Sequence, residues 1–258
     1  YFLNCNPGNV HPTYLPSYLY HYKQQKNMKS ILITGAGGNL GRAVINEFSG
    51  DHMIYAALGL GEDVRFFESH PNKANIETEF INLTDETACE AYVKKVMSKA
   101  DQLQTAILLV GGWQKGQIEE TRLAELDKMI KLNFATAFNV VRPLYEYYKR
   151  SGVGRFVFIG ARPAINTIEA KDQFAYALSK SMVIKMAEVI NQSGKEVNIQ
   201  AHVLVPSTLD TPQNRSAMPN TDPSTWVDPK HIGQTMRFLL SEAGNNLRET
   251  VLKIYNQA

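Results

Sequence analysis

The sequence predicts an α/β fold, in which a doubly wound and mostly parallel sheet of seven strands carries helices on both faces. From Ser30 onward, short apolar runs alternate with segments of helical periodicity, as in successive βαβ units. A glycine-rich segment at residues 35–41 separates the first apolar run from the first helical pattern. The length of 258 residues suits one domain with a full apolar core.

Each predicted strand is a short apolar run of the length typical of a buried parallel strand. The runs are Ile31–Thr34, Met53–Leu58, Thr78–Leu83, Ala106–Val110, Arg155–Ile159, Ile199–Val205 and Val251–Tyr255.

Helical patterns fill the intervals between these runs. Leu40, Val44, Ile45 and Phe48 have the spacing of one helical face. The segment Thr84-Asp85-Glu86 is typical of a capped helix start, and we predict a helix over 85–99. We predict two more helices, one within 121–149 and one over 174–192.

Composition and charge exclude several classes of protein. The 27 Lys and Arg against 25 Asp and Glu give a net charge of +2 without a basic block, which argues against nucleic acid as a partner. No apolar run approaches the roughly 18 to 20 residues of a transmembrane helix. Two cysteines, Cys5 and Cys89, and scattered histidines predict neither a disulfide framework nor a metal site. We therefore expect a cytoplasmic protein with a small-molecule partner.

The first 27 residues differ from the rest of the chain. They hold five of the twelve tyrosines, and the first acidic residue is Glu47. Met28 opens a run, Met-Lys-Ser-Ile-Leu-Ile-Thr-Gly, that would suit a protein start followed by a buried strand. We expect residues 1–27 to be an upstream extension or a cloning-derived segment outside the core, and 28–258 to form the single domain. The alternative is an oligomerisation arm that uses the tyrosines.

The glycine-rich segment predicts a dinucleotide site. Gly35, Gly38 and Gly41 allow a sharp turn and close approach to a pyrophosphate. Asn39 and Leu40 then open a helix, whose N-terminal N–H groups attract phosphate. The order strand, glycine loop, helix favours a Rossmann-like nucleotide-binding unit over a tight turn without a ligand.

Two features of the sequence bear on the choice between NAD and NADP. An acidic residue near the end of the second strand would bind the ribose 2′-hydroxyl of NAD, and residues 57–61 contain none. Arg42 and Arg65 are near enough in sequence to reach a 2′-phosphate. We predict a slight preference for NADPH.

A Tyr-x-x-x-Lys pattern occurs three times. The position of each pair in the predicted fold must therefore decide which pair is the candidate for the active site. The pairs are Tyr22/Lys26, Tyr145/Lys149 and Tyr176/Lys180. Only Tyr176 and Lys180 begin a helix that follows a predicted strand, Arg155–Ile159, beside the sheet edge where doubly wound folds bind ligands. We expect the Lys180 ammonium to lower the pKa of Tyr176, which would make the phenol a general acid.

Together these motifs resemble the short-chain dehydrogenase/reductase family over residues 28–258. Val110-Gly111-Gly112 is similar to the family's motif after its fourth strand, and Leu132-Asn133-Phe134 to the helix that carries its catalytic Asn. Val205-Pro206-Ser207-Thr208 is similar to its turn over the nicotinamide. The resemblance implies a reductase that binds NAD or NADP, takes a small-molecule substrate and forms a homodimer or homotetramer.

The resemblance also implies a role for each matched residue. The implied catalytic residues are Tyr176, Lys180 and Asn133, with Asn133 in a proton relay toward Lys180. The implied cofactor-binding residues are Gly35, Gly38, Asn39, Leu40, Gly41, Leu83, Gly111, Gly112, Lys180, Pro206 and Thr211.

The chain departs from the family pattern in two places. Asn39 replaces the usual second glycine of the loop, with Gly38 beside it. The catalytic Ser is missing, because the segment after the fifth predicted strand offers Ala161 or Pro163. Loss of such a donor to a developing alkoxide costs about 10²–10³ in rate, which disfavours ordinary ketone chemistry.

One branch of the family lacks that Ser and reduces quinonoid dihydropteridines, and the chain resembles this branch more closely. The segments 106–113, 160–165 and 209–226 carry the likeness. It implies that Trp113, Arg162 and Asn214 bind the substrate. We predict hydride transfer from NAD(P)H to a small, flat, conjugated substrate. The alternatives are another carbonyl, enone or quinone as substrate, or an NAD(P) sensor without turnover.

Overall fold

A computed structural model describes residues 28–256. The expectation that residues 1–27 form a separate extension lies outside the described residues. Seven strands form one sheet, in the order β3-β2-β1-β4-β5-β6-β7. The strands are β1 Lys29–Thr34, β2 His52–Leu58, β3 Ile76–Phe80, β4 Leu103–Leu108, β5 Gly154–Ile159, β6 Ile199–Pro206 and β7 Val251–Ile254.

Every strand pairing in the sheet is parallel. The chain therefore crosses over the sheet between strands, mostly through helices. These are α1 Asn39–Phe48, α2 Arg65–Glu68, α3 Glu86–Lys99, α4 Leu123–Ile130, α5 Thr136–Ser151, α6 Thr167–Ala170, α7 Phe174–Ser193, α8 Pro212–Ala217 and α9 Pro229–Leu239. The predicted doubly wound fold is confirmed, with an entirely parallel sheet.

Two apolar layers hold the helices against the sheet. On one face, side chains of α3, α5 and α7 such as Val93, Leu144 and Val183 pack on the strands. On the other face, α1 and α9 contribute Val44 and Met236 among others. Each strand sends alternate residues into the two layers, so both faces of the sheet are buried.

Some element boundaries differ from the prediction. Strand β3 ends at Phe80 rather than at Leu83, because the Asn82 side chain turns the chain by accepting hydrogen bonds from Thr84. The cap of α3 is Asp85, whose carboxylate accepts from the Ala88 N–H at 3.0 Å. Within residues 28–256, no helix has the length and apolar character needed to cross a membrane.

The order of strands fixes where a ligand can bind. Strands β2 and β3 lie on one side of β1, and β4 to β7 lie on the other. The direction in which the chain adds strands therefore reverses at β1. At such a reversal the loops after the strands separate and leave a crevice at the carboxyl edge of the sheet. The glycine loop, the end of β4 and the start of α7 all lie along this edge.

Candidate active site

The glycine loop joins β1 to α1 and leaves no space for a side chain at Gly41. A Cβ atom at Gly41 would collide with the carbonyl oxygen of Gly35, and Gly35 itself has φ +65°. Gly38 is the N-cap of α1 and provides no side-chain cap, so the first N–H groups of the helix remain available to an anion. The loop therefore fits the pyrophosphate of a dinucleotide, and Asn39 and Leu40 begin the helix as predicted.

The structure places an acidic residue beside this loop that the sequence analysis missed. A Cβ atom at Gly37 would lie 2.7 Å from Cδ of Glu62. The Oε2 atom of Glu62 is buried and has no hydrogen-bond partner among the described residues. Glu62 lies one residue beyond the strand-end segment 57–61, which holds no acidic residue, and its side chain reaches back to Gly37.

The two arginines behind the NADPH preference are both engaged. Arg42 donates from Nε to the Gly37 carbonyl at 2.9 Å, and its guanidinium lies 5.4 Å from the centre of the Phe66 ring. Arg65 makes an ion pair with Asp63 at 2.6 Å. This pairing lowers the pKa of Asp63 to about 2.

Asn133 lies in a π-helical turn, Lys131–Ala135, between α4 and α5. The side chain is 1% exposed. Its Oδ1 accepts from the Gly112 N–H at 2.8 Å, and its Nδ2 donates to the Gly112 carbonyl at 3.1 Å and to Ser179 Oγ at 2.9 Å. The wide turn thus directs one amide at the end of β4 and at α7. Such bulges occur frequently at functional sites.

Lys180 is brought to the same place from α7. Its Nζ donates to the Ile159 carbonyl at 2.8 Å, at the end of β5. A Cβ atom at Gly111 would lie 3.0 Å from this Nζ and 2.7 Å from Oδ1 of Asn133. Gly111 is therefore the residue around which Asn133 and Lys180 meet.

Burial controls the ionisation of both Tyr176 and Lys180. It lowers the pKa of Lys180 to about 8 and raises the pKa of Tyr176 to about 12. The expectation that Lys180 lowers the phenol pKa is wrong for this structure, because burial of the phenol away from water raises its pKa. Tyr176 is thus a protonated donor at neutral pH.

The end of β5 offers no hydroxyl where the family has its Ser. Ala161 is buried there and leads into a 3₁₀ turn, Arg162–Ala164. Arg162 makes an ion pair with Glu169 at 3.0 Å and lies 5.4 Å from the centre of the Tyr255 ring. Its role in substrate binding stays a prediction, and in this structure the guanidinium serves these internal contacts.

Trp113 lies just beyond β4 and is 62% exposed. Its indole N–H donates to the side chain of Gln173, the residue before α7. This hydrogen bond holds the ring near the helix that begins with Phe174 and carries Tyr176. An exposed aromatic face at this position can stack on a flat substrate.

The segment after β6 connects back to the glycine loop. Pro206 ends β6, and Thr211 caps α8 by accepting from the Asn214 N–H at 3.2 Å. The Asn214 side chain donates to the Leu209 carbonyl at 2.8 Å, so its amide nitrogen stabilises the loop. Gln213 accepts a hydrogen bond from Asn39, which links α8 to the start of α1.

Leu83 contributes mainly to the core. Its side chain is buried against the helices of one face of the sheet. Its carbonyl accepts from Asn139 at 2.9 Å. The role of Leu83 in cofactor binding stays a prediction.

Comparison with known proteins agrees with this geometry. The family model of the short chain dehydrogenases matches residues 29–222. Dihydropteridine reductase of Dictyostelium discoideum is 24% identical, over 81% of this chain and 86% of that protein. The 3-oxoacyl-[acyl-carrier-protein] reductase MabA of Mycobacterium bovis is 23% identical, over 88% of this chain and 91% of that protein. The solved structure of ElxO with NADP bound superposes with a TM-score of 0.78 at 19% identity, over 88% of this chain and 97% of that chain.

The family model covers most of the chain and includes the glycine loop, Asn133, Tyr176 and Lys180. The predicted resemblance is confirmed. This chain therefore belongs to the short-chain dehydrogenase/reductase family and is an NAD(P)-dependent oxidoreductase.

Proposed function

We propose that this protein reduces a small, flat, conjugated substrate of the quinonoid dihydropteridine type. The observation that carries the proposal is the combination of Ala161 with a complete set of Tyr176, Lys180 and Asn133. A reductase of a ketone needs several donors to the oxygen that becomes an alkoxide. Reduction of a conjugated C=N system develops no localised alkoxide, so a single proton donor suffices. The likeness to dihydropteridine reductase supports the same class of substrate.

Each residue of the site has a chemical task in this reaction. The nicotinamide cofactor supplies a hydride when it is bound. Tyr176, with its pKa raised to about 12, holds the proton that the substrate receives. Lys180 provides an ammonium beside the ends of β4 and β5 that orients the ribose. Asn133 fixes Gly112 and Ser179 and thereby the distance between β4 and α7.

The substrate ring binds against Trp113, whose exposed face lies beside the helix of Tyr176. Arg162 and Asn214 border the same edge of the sheet. They shape the site chiefly through their bonds to Glu169 and Leu209. We place the protein in the cytoplasm. Cys89 is a free, buried thiol, which is usual for proteins of a reducing compartment.

The protein acts as a homodimer or homotetramer. Support comes from an apolar groove of about 530 Å³ between α5 and α7, on the surface of the domain. Apolar side chains line it on both helices, and Phe138 and Val189 are among the exposed ones. A second copy of the chain is the occupant that we assign to this groove.

Steady-state oxidation of NADH and NADPH tests the proposal. The assay compares quinonoid dihydropterin with a panel of ketones, enones and quinones. Turnover of the pterin at a kcat/KM well above the panel is the expected result. Preference for a ketone or quinone would replace the proposed substrate, and cofactor binding without any turnover would favour a sensor.

A further inference from the structure

A buried carboxylate oxygen that has no donor within residues 28–256 lies where the nucleotide loop meets the loop after β2. The Glu62 side chain is wedged between two glycines, since a Cβ at Gly37 would lie 2.7 Å from its Cδ and a Cβ at Gly59 would lie 3.4 Å from its Oε1. Its Oε2 is buried and lacks a partner among the described residues. A buried carboxylate oxygen without a donor is costly, so this atom is suited to a ligand that donates.

The position of Glu62 indicates which part of a ligand it meets. Strand β2 is the neighbour of β1 on the side away from β4, and the loops after both strands lie on one edge of the sheet. A dinucleotide with its pyrophosphate at the N-terminus of α1 extends its adenosine half toward β2. The ribose hydroxyls are therefore the donors within reach of Glu62.

Neither nearby arginine neutralises this carboxylate. Arg65 is paired with Asp63, and Arg42 donates to the Gly37 carbonyl while it covers the Phe66 ring. A 2′-phosphate would bring no strong donor and up to two negative charges against Oε2. A ribose 2′-hydroxyl brings the donor that Oε2 lacks.

We propose that Glu62 selects the cofactor by accepting a hydrogen bond from the adenosine ribose, so that the protein prefers NADH to NADPH. This inference rests on the proposed function, and it reverses the preference that the sequence predicted. Glu62 stands outside the strand-end segment 57–61 and reaches the ribose from the loop, across Gly59.

Binding measurements test this inference without turnover. Dissociation constants of NADH and NADPH are measured by nicotinamide fluorescence for the wild type, Glu62→Gln and Glu62→Ala. AMP and 2′,5′-ADP, measured by calorimetry, restrict the comparison to the adenosine half. Glu68→Gln is the matched control, because Glu68 is an exposed carboxylate on the adjoining α2.

We expect the wild type to bind NADH about tenfold or more tightly than NADPH, as a charge-assisted hydrogen bond implies. Both Glu62 variants should weaken NADH by about tenfold, leave NADPH equal or tighter, and show the same pattern for AMP and 2′,5′-ADP. A wild type that prefers NADPH, or a preference that Glu62→Gln changes no more than Glu68→Gln does, overturns the role of Glu62 and leaves the proposed function intact. Failure of both cofactors to bind overturns both.

Discussion

Lys180 shows how burial and charge oppose each other at a single residue. The residue is 5% exposed, and within the part of the chain that the structure describes its ammonium donates to the Ile159 carbonyl. Burial lowers its pKa from 10.5 to about 8, so the folded protein holds the charged form at a cost of about 3 kcal/mol below pH 8. The site keeps this charge for function at the expense of stability.

Replacement of this lysine should therefore stabilise the protein while it abolishes activity. We expect Lys180→Met to raise the free energy of unfolding by about 2 kcal/mol at pH 7, after loss of the hydrogen bond to Ile159. Between pH 8 and 10.5 the unfolded wild-type chain binds more protons than the folded one, so wild-type stability rises with pH and the difference closes. Urea denaturation at pH 7 and pH 9.5 measures it.

The exposed Lys149 on α5 provides the control, because Lys149→Met removes a lysine that is already in water. The free energy of unfolding of Lys149→Met should differ little from that of the wild type, and the difference should not change with pH. A Lys180→Met protein that is less stable than the wild type at pH 7 would contradict the argument.

Tyr176 carries the proton in the proposed reaction, and its hydroxyl is the only group that Tyr176→Phe removes. We expect kcat to fall by about 10²–10⁴ while the dissociation constants of NADH and NADPH stay within twofold. Tyr145→Phe is the matched control, since Tyr145 heads a second Tyr-x-x-x-Lys pattern on α5. Stopped-flow and steady-state kinetics give kcat for both variants, and nicotinamide fluorescence gives their dissociation constants for NADH and NADPH. Equal losses in the two would show that position in the fold does not distinguish them.

Single residues also show the limit of sequence reasoning. Tyr176 and Lys180 were predicted because one helical turn separates them and a strand precedes them. Glu62 was missed, because its distance from Gly37 depends on the path of a loop and on no periodic pattern. The bonds of Arg162 and Asn214 to Glu169 and Leu209 are likewise set by the fold of short turns.

At the scale of elements, the segment between α4 and α5 has the clearest function. The sequence predicts helix within residues 121–149. The structure has a π turn there, which widens the helix and brings the amide to Gly112 and Ser179. Apolar periodicity predicts the helix, while the added residue in the turn follows from packing against β4 and α7. Apolar runs likewise predict the middle of each strand, whereas packing and turns set where a strand begins and ends.

The glycine loop and α1 form a second element whose packing can be tested. A Cβ at Gly41 would collide with the Gly35 carbonyl, whereas a Cβ at Gly38 would lie 3.5 Å from it, an ordinary contact. We expect Gly41→Ala to destabilise the protein by about 1–3 kcal/mol through overpacking, and Gly38→Ala to cost less than about 0.5 kcal/mol. Thermal denaturation of the two variants compares them. Equal melting temperatures would mean that the loop adjusts freely.

At the scale of the whole molecule, the two faces of the sheet have different tasks. The face covered by α1 and α9 is tied together by Arg237, which pairs with Glu47 and Asp51. The face covered by α3, α5 and α7 carries both the proposed catalytic residues and the open apolar groove. Phe134 connects the two features, because it lines the groove and follows Asn133 in the π turn. A partner on this groove would therefore also hold the turn that positions Asn133.

The groove is suited to a second copy of the chain because its border carries both signs of charge. Arg142 contacts Glu86, and Lys185 pairs with Glu188, so a twofold axis can bring opposite charges together around the apolar centre. Val189 is 55% exposed within this centre. A charged side chain at position 189 would have to lose its water when two copies associate. It would then contact either the same charge on the second copy or apolar side chains of the groove.

We therefore expect Val189→Glu to shift the protein from dimer or tetramer toward monomer, with at least a tenfold weaker association. Light scattering coupled to size-exclusion chromatography measures the mass over a range of concentrations. Leu60→Glu is the control, since Leu60 is 73% exposed and lies outside the groove. A monomeric wild type, or an assembly that tolerates Val189→Glu as well as Leu60→Glu, would show that this face is not the interface.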